Sequence, residues 1–405
     1  MEIVKRAVLL IVLVCVPLTA QAPNPSALPL VQASDLVIAG AIRVPDDFNY
    51  GGQIMAFNPA GSLFLGHRNG VAEVTLPAPV LGAIADMPRA TLKQPFADVT
   101  SGRWKDAGPT PADTLGGLIV HEGRLIGNAF VFYDANNTQE RSHFSHSLTL
   151  TDATSFRGWS RVGAVRQSGF VAGPMTPIPP EWQPALGGNA VTGQCCLSII
   201  TRSSFGPAAF SIDLSKVGEP AVPATPLVMY PGDHPALGPW NGSNPTYGGT
   251  TQIGGMVIVP GTRSMLFLGS NGRGPFCYGE GTADKSLDGR PAPGGEKYCY
   301  DPISPDKGQH AYPYSYQIWA YDLNDLAAVK AGRKRPWQVL PYGVWPLKLP
   351  MPETQIRLSA VTIDPAARRI YAAQYKGEPY SGGGGGPLIW SIDVKIGSSA
   401  PARLR

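Results

Sequence analysis

The chain has 405 residues, with 33 Lys and Arg against 29 Asp and Glu, a formal net charge of +4 at pH 7. Charged residues are 15% of the chain and hydrophobic residues 43%, which excludes a disordered, charge-extended protein. A charge this small and this scattered also excludes a basic nucleic-acid surface, the triplet Arg333-Lys334-Arg335 reading as a solvated turn.

The sequence opens as a secretory signal. Lys5 and Arg6 precede an apolar run over 7–16, and Ala20-Gln21-Ala22 offers a small-x-small cleavage site, so 1–22 is a signal peptide and 23–34 a linker. The run is too short to span a bilayer, no later segment is apolar enough to do so, and the mature chain is expected to be secreted or periplasmic, without a membrane span. With 48 glycines and 41 prolines, more than a fifth of the chain, the remainder predicts many short strands and few helices.

Residues 35–44 (Asp-Leu-Val-Ile-Ala-Gly-Ala-Ile-Arg-Val) read as a strand with no sequence-adjacent partner. A hairpin follows: Gly51-Gly52, an apolar strand to Phe57, the turn Asn58-Pro59-Ala60-Gly61, a second strand, and the exit His67-Arg68-Asn69. The pattern recurs at Gly116-Gly117 with a turn at His121-Glu122-Gly123, less cleanly at Gly187-Gly188 with strands around 195–201, and most clearly over 253–271, where Gly254-Gly255 opens the first strand and Pro260-Gly261-Thr262 turns the chain. A fifth copy, 359–373, turns at Asp364-Pro365-Ala366-Ala367 and lacks the glycine pair. Third strands are expected at 208–214, 317–323 and 388–394, each ending in Asp and an aliphatic residue, and fourth strands at 157–165, 226–230 and 336–340. One helix is predicted, 324–331, between an Asn-Asp start and Gly332.

The second glycine of the pair, or its equivalent, falls at 52, 117, 188, 255 and 360. Removing an insert at 273–311 from the last interval restores a repeat of about 65 residues. Four strands per repeat predict an all-β β-propeller of five four-stranded blades over 35–396, its ring closed by the N-terminal strand, with a tail at 397–405. A divergent blade inside 78–114 would make six.

Without Cys15 the mature chain has four cysteines. Cys277 and Cys299 are expected to close the insert as a disulfide; Cys195 and Cys196 are then free thiols or a vicinal pair.

The turns between first and second strands are tight, whereas every long loop (101–116, 133–142, 166–188, 231–253, 273–311, 341–358, 374–387) belongs to the opposite face, which is where a ligand is expected. The candidate ligand-binding residues there are His67, Arg68, Asn69, Trp104, Trp240, Tyr247, Arg273 and Tyr380, since aromatic faces stack on sugar rings and polar side chains take their hydroxyls. The reading is an exported ligand-binding propeller for a glycan or cell-envelope component, monomeric and without a cofactor. A glycoside hydrolase would need convergent carboxylates, for which Asp47, Asp113, Asp233 and Glu353 are the candidates. A protein–protein scaffold is the third reading. His67, His234 and His310 could approach one another on this face, but no metal site is expected.

Overall fold

The computed structural model describes residues 24–46, 48, 54–67, 69–134, 136, 138–164, 171–193, 204–349, 356–380 and 385–397. Residues 1–22, expected to be a signal peptide, and Cys195, Cys196, Asp47, Arg68 and Glu353 lie outside them.

The protein is all-β. After β1 (Leu36–Arg43), the first sheet is β2 (Ile54–Asn58), β3 (Ser62–His67), β4 (Gly70–Thr75) and β5 (Leu92–Ala97), paired in that order. The hairpin turn forms as the sequence requires: Asn58 Oδ1 accepts from Ala60 N at 3.1 Å, and Gly61 takes the left-handed φ of 85° that a side chain would resist. The second sheet is β6 (Thr114–His121), β7 (Arg124–Phe130), β8 (His143–Ser147) and β9 (Arg157–Val162).

The third sheet is β10 (Met175–Pro177), β11 (Ala190–Gly193) and β12 (Ala209–Ile212), then β14 (Ala224–Val228). Between the last two, β13 (Ala221–Val222) adds in parallel to β9 of the second sheet. Here the expected phase is corrected by one strand. Gly187-Gly188 does not open the first strand; it ends a short helix, α1 (Gln183–Leu186), that joins the first strand to the second. Gly187 is the left-handed C-terminal cap at φ 77°, and a side chain at Gly188 would strike the Ile212 carbonyl at 2.4 Å.

A small ribbon, β15 (Asp233–His234) with β16 (Gly238–Pro239), precedes the fourth sheet. That sheet starts with β17 (Gln252–Ile258) and β18 (Ser264–Gly272). The insert follows as its own three-stranded sheet, β19 (Cys277–Thr282) between β20 (Lys297–Tyr300) and β21 (Lys307–His310). The Cys277–Cys299 disulfide is formed, closing a separation of 22 residues. A loop of that length accounts for about 3 kcal/mol on the chain-entropy relation. The fourth sheet resumes with β22 (Tyr314–Asp322), passes through α2 (Leu323–Lys330), and ends in β23 (Gly343–Pro346). Asp322 caps α2 by accepting from Asn324 N at 2.9 Å. The fourth strand expected at 336–340 is instead a single 3-10 turn over Pro336–Gln338, where proline fits the first helical position, and the strand lies a few residues later. The fifth sheet is β24 (Leu358–Asp364), β25 (Arg369–Pro379) and β26 (Gly385–Val394), with β1 as its outer strand in register from Leu36–Val394 to Arg43–Leu388.

The five first strands are neighbours in the order β2, β6, β10, β17, β24 and back to β2. All five line one nearly filled central space of about 20 Å³. Consecutive residues on these strands face different neighbours: Ile54 packs with Phe64, Leu118 and Phe144, whereas Met55 packs with Leu63, Tyr371 and Ile389. Met256 joins Val191 and Trp319, and Val257 joins Val361 and Trp390. Both faces of each such strand are buried, which is why these segments read as continuous apolar runs. The glycine pairs have a steric cause. A Cβ at Gly117 would lie 2.0 Å from the Gly173 carbonyl, and one at Gly254 2.3 Å from the Leu358 carbonyl, each on the neighbouring sheet's side of the centre. Among the described residues no helix is long and apolar enough to cross a membrane.

Candidate functional site

The long-loop face carries a cavity of about 830 Å³. Its floor is made where sheets four and five begin: Gly249–Gln252 leading into β17, Ser270 at the end of β18, Arg357 just before β24, and Tyr375 on β25. The insert supplies one wall through Tyr278 and residues 303–309, together with Tyr314 at the start of β22. Phe205 and Trp240 form the other.

Local hydrogen bonds hold the floor in place. Thr251 Oγ donates to Asn271 Oδ1 at 2.6 Å, Asn271 Nδ2 donates to the Pro245 carbonyl at 3.2 Å, and Gly272 N donates to Thr250 Oγ at 3.2 Å. The exit of the 253–271 hairpin therefore anchors the loop that enters it. Trp240 sits between Phe205 and Phe276, with ring centroids 5.6 Å from each. Gly249 is required beneath Phe276, because a Cβ there would come within 2.1 Å of that ring.

Among the described residues three charged side chains line the cavity, Arg357, Lys307 and Asp306. Lys307 is paired with Glu296. The Arg357 guanidinium lies over the Tyr375 ring at 5.3 Å, and its backbone carbonyl accepts from Tyr375 N at 3.0 Å. Burial pulls its pKa below the usual arginine value, although a guanidinium stays charged at any working pH.

Beneath the insert lies a buried polar knot. Asp301 Oδ2 accepts from Tyr314 OH at 2.6 Å and bonds His310 Nδ1 at 2.8 Å, while Oδ1 accepts from Ile303 N at 3.2 Å. His310 Nε2 faces the Asp306 carbonyl at 3.1 Å. Burial would raise the Asp301 carboxyl, but bonds from His310, Tyr314 and Ile303 outweigh it and hold it below the usual range. Burial and the same bond to Asp301 push the Tyr314 hydroxyl upward. The knot fixes residues 301–310, and so the insert wall, to β22. Asp301→Ala is expected to destabilise the protein by about 3 kcal/mol, since it strands a buried histidine and a half-buried hydroxyl. Hydrogen exchange should localise the loss to residues 297–314; protection there equal to the native protein's would contradict this role.

Of the sequence-derived candidates, Trp240 is in the lining. Tyr247 is not: its loop folds inward, the ring is 3% exposed and stacked on Trp319 at 5.2 Å, and its hydroxyl meets Tyr321 OH at 2.8 Å. Trp104 donates to Asp98 Oδ2 at 3.2 Å and leans on Trp159 at 6.3 Å, pinning its own loop to the second sheet. Arg273 is exposed and donates to Gln317 Oε1 at 3.3 Å; Tyr380 is half-buried beyond β25. His67 is half-buried at the end of β3, and Asn69 is exposed. Asp113 is exposed and accepts from Thr114 Oγ and Phe132 N, so its oxygen braces a loop; Asp233 is exposed on the small ribbon. These two carboxylates do not enter the cavity, where Asp306 is the one carboxylate among the described lining residues. The histidines do not converge either: His234 Nε2 bonds the Trp337 carbonyl at 2.7 Å, and His310 is held by Asp301. Among the described residues no three His, Cys, Asp or Glu side chains are placed to hold a metal. Arg357, Tyr375, Tyr278 and Phe205 were not singled out by the sequence. Each stands alone in its segment, and only the packing of sheets four and five against the insert brings them together.

No protein-family model matches the chain, and no curated protein matches it. Among solved structures, a luciferin-regenerating enzyme is similar over 88% of this chain and 77% of its own, at 8% identity and a TM-score of 0.32. A glycoside hydrolase of the GH130 family of mannoside phosphorylases, which targets β-1,2 mannosidic linkages in Candida mannan, is similar over 92% of both chains, at 11% identity and a TM-score of 0.37. A candidate glycosidase from Bacteroides thetaiotaomicron is similar over 93% of this chain and 96% of its own, at 8% identity and a TM-score of 0.33. None of these likenesses assigns chemistry to the residues above.

Proposed function

We propose that this protein is an exported, monomeric five-bladed β-propeller, its ring closed by β1, that binds a carbohydrate or a glycan-bearing envelope component in the cavity on its long-loop face. The observation that carries the reading is the cavity itself. Its volume of about 830 Å³ suits a short oligosaccharide, and its lining alternates rings (Phe205, Trp240, Tyr278) with hydroxyl and amide groups (Gln252, Ser270, Ser304). Rings stack on the apolar faces of sugars, and the polar groups take their hydroxyls. The cyclic order of the five first strands supports the propeller, and the disulfide suits an oxidising compartment.

A glycan array that includes peptidoglycan and lipopolysaccharide fragments tests this reading. The protein is expected to retain a defined set of glycans, and Trp240→Ala to weaken binding about tenfold through loss of one stacked ring. Leu81→Ser, at a residue 57% exposed and outside the cavity, should bind as the native protein does. An array with no bound glycan would remove the proposal and leave the scaffold reading in its place.

A further inference from the structure

Several cations of this protein are paired with carboxylates. Arg89 holds Glu378 at 2.6 Å and Asp46 at 2.7 Å, Arg369 holds Asp393 at 2.6 Å, and Arg263 holds Asp322 at 3.5 Å. In the cavity, Lys307 is paired with Glu296. Arg357 differs. It lines the cavity and is half-buried, and among the described residues no carboxylate pairs with it. A guanidinium drawn out of water without a counter-ion is costly, and proteins rarely leave one so unless a ligand completes it. Contact with the Tyr375 ring, 5.3 Å from its centroid, restrains the guanidinium, and Lys376 Nζ, 5.4 Å from the same ring, adds positive field. A planar anion is the group best able to take the fork of N–H donors in two parallel bonds.

We infer that the ligand of this cavity is an acidic sugar and that Arg357 receives its carboxylate while the sugar ring lies toward Trp240 and Tyr278. The inference rests on the glycan reading above and specifies its substrate class. A carboxylate carries one negative charge in a plane, which matches the geometry of a guanidinium fork.

The test uses oligosaccharides of galacturonate, glucuronate and mannuronate, each beside its carboxyl-methylated form, titrated calorimetrically into the mature protein. One acid is expected to bind ten- to a hundredfold tighter than its own methyl ester, roughly the worth of one charge-assisted bidentate contact, and that gap should narrow as salt is raised. Arg357→Gln should erase the gap, Arg357→Lys should keep part of it, and Trp240→Ala should weaken acid and ester alike. If Arg357→Gln does not fold, the native protein's acid–ester gap and its salt dependence, together with Arg357→Lys, still decide the matter. Equal binding of acid and ester, a gap that survives Arg357→Gln, or a preference for sulfated over carboxylated sugars would overturn the inference. Binding of neutral glycans with no preference for acids would overturn it while the glycan reading stands; no binding to any glycan would bring down both.

Discussion

A chain that lacks residues 24–44 is expected not to reach the native fold, and a synthetic peptide of residues 24–46 added in trans is expected to restore it. β1 belongs to the last sheet in space although it is first in sequence, and its side chains fill two separate cores. Val31 and Ala41, both fully buried, pack with Val361, Ile370 and Trp390, with Leu36 and Ile38 beside them. Ile42 and Val44, at 1% and 0% exposure, pack on the other face with Leu63, Tyr371 and Ile389. The segment before the strand is also tied down: Val31 N donates to Ser264 Oγ at 2.8 Å, and its carbonyl accepts from Tyr342 OH at 2.8 Å. Full burial of Val31, Ile42 and Val44 at roughly 1.5–3 kcal/mol each, with about half of that for the half-buried Leu36 and Ile38, comes to about 8 kcal/mol, within the range of the whole stability of a typical domain. Truncation would also leave β26 as a bare edge rich in apolar side chains, a template for aggregation. The point substitution Ile42→Ala should leave the protein folded and about 2–4 kcal/mol less stable. Near-ultraviolet circular dichroism and urea midpoints read both effects. A truncated chain with a native spectrum and an unshifted midpoint would show that β1 is an accessory to a ring that closes without it.

That strand was legible because the sequence leaves it without a partner and leaves the last repeat one strand short. The hairpin at 253–271 was legible because both faces of an inner strand are buried, so β17 and β18 read as apolar runs cut by Pro260-Gly261. Repeat three was misread because a glycine pair has more than one physical cause. At Gly116-Gly117 it makes room for a neighbouring sheet, whereas at Gly187-Gly188 it caps a helix and clears Ile212. The candidate site was legible only as a face. Trp240 was found because it is a large ring in a long loop, but so is Tyr247, and nothing local distinguishes a ring that lines a cavity from one whose hydroxyl seeks Tyr321 in the core. Arg357 gives no signal at all in its own segment. Its distinction is its place in the cavity lining beside the Tyr375 ring, a property of the folded neighbourhood rather than of the chain.

His143 should make this protein lose stability as pH falls from neutrality, before most carboxylates begin to titrate. The imidazole is fully buried on β8, and burial alone pulls its pKa from 6.5 to about 3. Its neighbours suit the neutral ring. Thr192 Oγ, which donates its own proton to the Val171 carbonyl at 2.5 Å, lies 3.1 Å from Nε2 and is left to accept from it. Ser142 Oγ, 2.9 Å from Nδ1, can then donate. One neutral tautomer thus satisfies both ring nitrogens, and a second proton would reverse the Ser142 bond and place a charge in the core. The folded value lies below the unfolded one, so between them the unfolded chain binds more protons. The contribution is complete above pH 6.5 and declines as pH drops toward 3. Linkage at these values costs about 2 kcal/mol on going from pH 7 to pH 5, and about 4 kcal/mol by pH 3. His143→Gln preserves a donor and an acceptor but does not titrate. It should be about 1 kcal/mol less stable at pH 7 for imperfect geometry and should lack the 2 kcal/mol fall to pH 5. Urea denaturation of both proteins at the two pH values isolates the term, because the carboxylates and remaining histidines are common to both. Parallel losses in the two proteins would mean that His143 is hydrated or protonated in the native state, and that the contact between the second and third sheets is looser than its hydrogen bonds indicate.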